Sequence, residues 1–148
     1  MKHQDSLPKF TLKDQHGNPV QSEDWIGNTA VLVYFYPKDF TPGCTKEACG
    51  FRDAFEDFTE RGIKVVGISG DTIDSHKKFA NRHQLPFTLL ADPDGNVKKL
   101  FQVKPSLLGF LPGRESFLFN KQGKLIFKFR SISGSAHVTE ALKHIQDS

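Results

Sequence analysis

Sulfur is scarce in this 148-residue chain, which holds two cysteines, Cys44 and Cys49, and one methionine. With so few thiols a disulfide-stapled scaffold is excluded, and a structural zinc site would need four ligands at paired spacings that the scattered histidines do not supply. Long apolar runs are missing too. No stretch could span a bilayer, and the polar segment from Met1 to Phe10, with Asp5 and Pro8, offers no signal-peptide core. The expectation is a protein of the reducing cytoplasm that does not engage membranes. Nor is there a basic arm or stripe: the net charge of +3 is spread along the sequence, which leaves nucleic-acid binding without support. No repeat, low-complexity tract or linker interrupts the chain, so residues 1–148 are expected to form a single domain.

What is present is ordinary globular material, 37% hydrophobic and rich in phenylalanine, with fourteen. Phe10, Thr11, Leu12 and Val20 flank a turn-rich segment from Asp14 to Pro19, which predicts an N-terminal β-hairpin. Ala30 to Tyr36 is an unbroken β-forming run and reads as a buried central strand, as do Ile63 to Ser69 and Phe87 to Ala91. Between the first two, Cys44, Ala48, Phe51, Phe55 and Phe58 share one face of a predicted helix that stops at Gly62. Further helices are predicted over Asp74 to His83, Asn96 to Phe101 and His137 to Ile145. Ser116 to Asn120 and Lys124 to Phe129 read as a late hairpin. Strands that alternate with helices imply an α/β fold, with a central mixed sheet flanked by helices on both faces. Such an order is similar to that of thioredoxin-like proteins.

Chemistry concentrates in Tyr36-Pro37-Lys38-Asp39-Phe40-Thr41-Pro42-Gly43-Cys44-Thr45-Lys46-Glu47-Ala48-Cys49. Here a buried strand ends and a helix begins, the edge of an α/β sheet where sites form. Pro42 and Gly43 suit the entry to a first helical turn. Cys44 would sit among unpaired backbone N–H groups at the positive end of the helix dipole, which favours the nucleophilic thiolate. Thr41 can place a hydroxyl near that sulfur, or can serve as a simple N-cap. Taken alone, Cys44 also fits a small core residue on the apolar helix face.

The pattern Pro37-x-x-x-Thr41-x-x-Cys44 resembles the peroxiredoxin active site, with Cys44 in the peroxidatic position. The spacing to Cys49 resembles the peroxiredoxin Q, or bacterioferritin comigratory protein, branch, in which the second cysteine resolves the first within one chain. The likeness runs from Leu7-Pro8-Lys9-Phe10 to the final helix. It puts Arg114 at the catalytic arginine and Glu47 at the supporting glutamate. Asn120 stands where the family often has an aspartate turn, and Pro105 to Gly113 matches no family motif. The resemblance implies a thioredoxin-like fold without a cofactor or metal, and an antioxidant peroxidase that reduces hydrogen peroxide and organic hydroperoxides. Cys44 attacks the peroxide to give a sulfenic acid, and Arg114, Thr41 and the N–H groups of Gly43 and Cys44 stabilise the departing oxygen. Pro37 walls off water, and Glu47 orients Arg114. Thioredoxin or a glutaredoxin-like dithiol then reduces the Cys44–Cys49 disulfide, since the chain has no Cys-x-x-Cys pair or flavin motif of its own. A monomer or weak dimer is expected.

Five residues along an ideal helix separate Cα atoms by roughly 8–9 Å, whereas a disulfide needs under about 7 Å. Oxidation therefore requires the first turns of the helix to unwind. One rival stays open at this stage: a thiol–disulfide exchange or redox-sensing protein on the same fold, which would not need Thr41 with Arg114. Three lesser expectations concern other segments. Leu107 to Leu111 is too apolar for a free loop, and it covers the site, forms a dimer contact, holds an alkyl tail or packs on its own core. The pairs His76 and His83, and His137 and His144, repeat at seven residues and read as surface residues. Asp92 to Asn96 reads as a turn rather than a calcium loop.

Overall fold

The computed structural model describes residues 1–103 and 114–146. Leu107 to Leu111 and the stretch from Pro105 to Gly113 lie outside the described residues. In chain order the elements are β1 (Thr11–Asp14), β2 (Pro19–Gln21), a 3₁₀ turn (Ser22–Trp25), β3 (Ala30–Phe35), α1 (Pro42–Asp53), α2 (Phe55–Glu60) and β4 (Ile63–Ser69). They continue with α3 (Ile73–His83), β5 (Thr88–Ala91), α4 (Asn96–Leu100), β6 (Glu115–Phe119), β7 (Leu125–Arg130) and α5 (Gly134–Gln146).

Seven strands form one sheet in the order β2-β1-β5-β4-β3-β6-β7. The β3–β4 and β4–β5 pairs are parallel, and β1–β2, β1–β5, β3–β6 and β6–β7 are antiparallel. This is the expected mixed sheet of a thioredoxin-like fold, with both hairpins in place. Burial on two faces explains why β3 is apolar without alternation. Leu32, Tyr34 and Tyr36 point into a core layer with Cys44, Phe51 and Phe58 from the helices, together with Phe79 and Val138. Val31, Val33 and Phe35 point into the opposite layer, which holds Phe10, Trp25, Val97 and Phe101. The first layer is cemented by Phe51 stacked on Tyr34, with ring centroids 4.7 Å apart.

Local chemistry sets the ends of the elements. The Thr72 hydroxyl accepts from Ser75 N at 3.1 Å and starts α3. The Asp92 carboxylate accepts from Val97 N and Lys98 N at 3.2 and 3.0 Å, which fixes the turn before α4. Asn120 Oδ1 accepts from Gln122 N and Lys124 N, so the asparagine closes the β6–β7 turn as an aspartate would. Two expectations need correction. The helix predicted from Cys44 through Phe58 is two helices, because the chain tightens at Ala54 (φ −95°, ψ 6°), where Asp57 N bonds back to Ala54 O at 3.0 Å. The tightened turn re-aims α2 and still sets Phe58 5.8 Å from Phe51. The last helix begins at Gly134 rather than His137, because Ser133 Oγ accepts from Ala136 N at 3.3 Å and caps it.

Helix α5 crosses α1 at two glycines. A methyl at Gly50 would come within 2.9 Å of Val138, and a methyl at Gly134 would overlap the Gly43 carbonyl oxygen of the first turn of α1. A side chain can move aside, but backbone cannot. Gly134→Ala should therefore destabilise the fold by about 1–3 kcal/mol, read as a lower urea midpoint with unchanged slope. Gly50→Ala should cost less.

Candidate active site

Strand β3 delivers the chain to the start of α1, and β6 begins beside it, since Phe35 pairs with Glu115. That register brings Arg114, the residue just before β6, over the first turn of α1. Its Nη2 donates to Cys44 Sγ at 3.3 Å, and its Nη1 is paired with Glu47 Oε1. All three side chains are buried. Glycine at 43 permits the approach, because a methyl there would lie 3.2 Å from Arg114 Nη2. The N–H groups of Gly43 and Cys44 precede the first backbone bond of the helix, from Thr45 N to Thr41 O at 2.9 Å. Thr41 stands at the N-cap position, yet its hydroxyl donates to Lys38 O at 2.8 Å and makes no capping bond. Pro37 is half-buried and lines a cleft with Tyr36, Ser69 and Asp92.

Both thiols are free. Cys44 is buried, while Cys49 is half-buried further along α1. The two occupy one continuous helix, so the geometric bar to joining them holds as expected from the sequence.

Glu47 is fully buried rather than solvated. Burial pushes its carboxyl up to about 8, although Arg114 pulls the other way. Burial alone would lower Arg114, but Glu47 and Cys44 outweigh it and hold the guanidinium above its ordinary range.

His137 and His76 overturn the expectation of surface histidines, as both are completely buried. Each lies on the apolar face of its helix, His76 with Phe79 and Ala80, and His137 with Ala141. That position, spaced three or four residues from core neighbours, is the signal that could have found them. His137 Nε2 donates to Ser131 O at 2.9 Å, so its Nδ1 accepts from Ser116 Oγ at 2.8 Å. Burial lowers this ring to about 4, which makes it neutral near pH 7. Its Nδ1 lies 3.8 Å from Glu47 Oε2, an oxygen without a hydrogen-bond partner among the described residues. The Tyr34 hydroxyl is likewise unpartnered there. Sequence reasoning also passed over Asp39, a buried carboxylate in the loop before α1 that accepts from Tyr36 and Ser75 and lies against His76.

A thiol held by a guanidinium at a helix start matches a known family. The model of the AhpC/TSA family matches residues 3–128. The chain belongs to that family and is a peroxiredoxin, a thiol-dependent peroxidase. It is similar to the chloroplastic peroxiredoxin Q of Sedum lineare, 49% identical over 94% of this chain and 75% of the relative. Other chloroplastic peroxiredoxin Q proteins, 45–47% identical, are longer, and the chain spans 64–65% of their length. Among solved structures, peroxidoxin BcpB of Mycobacterium tuberculosis is 37% identical with a TM-score of 0.89, covering 99% of this chain and 97% of its own. The bacterioferritin comigratory protein of Xanthomonas campestris is 25% identical with a TM-score of 0.86, covering 97% and 98%. Among the described residues no helix is long and apolar enough to cross a membrane.

Glu47 gives the peroxiredoxin a pH signature. Because its folded value of about 8 lies above the ordinary 4.5, the folded chain keeps a proton that the unfolded chain releases between those limits. The resulting stability is full below the lower limit and lost as pH rises through the upper one. His137 works the opposite way between 6.5 and 4, losing stability as pH falls. The comparison must therefore be with a variant that changes Glu47 alone. Thermal melts of wild type and Glu47→Gln from pH about 5 to about 8 should show the wild type losing ground as pH rises.

Proposed function

We propose that this peroxiredoxin reduces hydrogen peroxide and organic hydroperoxides with Cys44 as the peroxidatic sulfur and Cys49 as the resolving one. The observation that carries this is the Arg114 Nη2 to Cys44 Sγ bond at 3.3 Å, in a buried site at the opening turn of a helix. In the first step the Cys44 thiolate attacks the terminal peroxide oxygen, a sulfur–oxygen bond forms and the oxygen–oxygen bond breaks. Sulfur is oxidised to the sulfenic acid, and the departing oxygen takes a proton to leave as water or an alcohol. Arg114 and the N–H groups of Gly43 and Cys44 stabilise the charge that builds on that oxygen, and the Thr41 hydroxyl joins them once it turns away from Lys38 O. Glu47 holds the guanidinium at the angle that reaches the sulfur, and Pro37 limits water.

In the second step α1 unwinds at its start, and the Cys49 sulfur displaces the sulfenic hydroxyl as water. The disulfide is then reduced by thioredoxin or a glutaredoxin-like dithiol in a cytoplasmic setting, with the chain acting as a monomer or weak dimer in antioxidant defence. Support for organic peroxides comes from the X. campestris relative, whose structures are described in terms of alkyl peroxide reduction activity.

Two measurements test this. Stopped-flow oxidation should be abolished in Cys44→Ser. Cys49→Ser should consume one equivalent of peroxide and then stall with thioredoxin, and full turnover in that variant would remove Cys49 from the cycle. Arg114→Lys, which loses the fork that spans sulfur and carboxyl, should slow the first step by about 100-fold.

A further inference from the structure

Asp39 has no part in the chemistry above, yet its carboxylate is held by several side chains. Tyr36 Oη donates to its Oδ1 at 2.6 Å, and Ser75 Oγ donates to its Oδ2 at 2.9 Å. His76 Nδ1 meets the same Oδ2 at 2.7 Å, while His76 Nε2 donates to Leu90 O at 3.0 Å. The Asp39 N–H itself donates to Asp71 Oδ2 at 2.9 Å, and Ser69 Oγ donates to that oxygen at 2.6 Å. The ligand atoms of Asp39, Asp71 and His76 lie within 4.8 Å of one another. Protein donors already occupy the oxygens that face inward, so the cluster is a tie between elements rather than a seat for an ion. It fastens the loop before α1 to the ends of β4 and β5 and to the first turns of α3.

Immediately after this tie the backbone is strained. Phe40 is a non-glycine residue at φ 67°, half-exposed, with its ring edge-on to Phe79 at 5.1 Å. Thr41 then stands at the N-cap of the helix that bears Cys44 three residues on. A left-handed aromatic persists only where its flanks are fixed, and the flank fixed here is Asp39. Release of Asp39 would let Phe40 relax and free the first turn of α1, the segment that must unwind before Cys44 can meet Cys49.

We propose that the Asp39 anchor, built with Tyr36, Ser75 and His76, positions the first turn of α1 and sets how the Cys44 sulfenic acid is divided between two fates. This rests on the roles given above to Cys44 and Cys49. In one fate Cys44–SOH and Cys49–SH give the disulfide and water. In the other, Cys44–SOH and a second ROOH give the sulfinic acid Cys44–SO2H and ROH. A firm anchor keeps the helix wound and favours the second; a weak one favours the first.

The test uses the full reduced chain, rapid mixing with hydrogen peroxide, and mass spectrometry of alkylated samples quenched over time. Asp39→Ala should close the disulfide about tenfold faster, the weight of one charge-assisted hydrogen bond. Its sulfinic yield in excess peroxide should fall in proportion, with ring closure gaining on oxidation by the first equivalent. General destabilisation would not move the two steps apart in this way. Ring closure that is unchanged or slower in folded Asp39→Ala overturns the proposal. Should Asp39→Ala fail to fold, Ser75→Ala carries the same test with an expected effect of about threefold. If wild type forms no Cys44–Cys49 disulfide, the resolving role fails by itself. The anchor is then read from amide hydrogen exchange at residues 43–48 in reduced protein, where faster exchange in the variant supports it and equal exchange overturns it.

Discussion

One guanidinium holds the site together. Arg114 reaches from the strand edge at β6 to the first turn of α1, with one nitrogen on the Cys44 sulfur and another on the Glu47 carboxyl. Planar geometry makes this possible, since a fork of fixed donors can serve two acceptors at once where an ammonium serves one point. Everything else around the sulfur either brings Arg114 to this place or keeps it there. The β3–β6 pairing sets its height, glycine at 43 gives it room, and the buried Glu47 carboxyl holds its other nitrogen.

Low dielectric surroundings raise the stakes of this arrangement. A cation with two acidic neighbours can neutralise only one of them fully. Desolvation penalises the carboxylate of Glu47, whose Oε2 finds no donor among the described residues. His137 could have been that donor, but its one ring proton is committed to Ser131 O. The neighbourhood thus withholds a hydrogen bond from Glu47 Oε2 and leaves the carboxyl to Arg114.

Much of this was legible in the residues. The unbroken apolar run at β3 and the Pro37-to-Cys49 segment announced the strand-to-helix edge, and Arg114 and Glu47 were found through likeness to a family. The buried polar side chains were less legible. Asp39 and His76 are 37 residues apart, and nothing in the spacing of either records that the ends of β3 and α3 meet. Heptad-like repeats of histidine look the same on a wet face as on a dry one. What separates them is the company of Phe79 and Ala80, or of Ala141, at helical offsets. The break at Ala54 was hidden for a related reason, because the apolar stripe continues across it and periodicity sees only the stripe.

The central strand also divides the molecule by what it can tolerate. Val31, Val33 and Phe35 on one side of β3 meet hydrocarbon, so exchange there is limited by volume and shape. Tyr34 and Tyr36 on the other side carry hydroxyls into the layer that also holds Cys44. Replacement of Tyr36 disturbs a hydrogen-bonding partner, Asp39, as well as packing. Mutational drift should accordingly accumulate on the far side of the sheet, so that one six-residue strand marks the border between a freely editable half of the core and a chemically committed one.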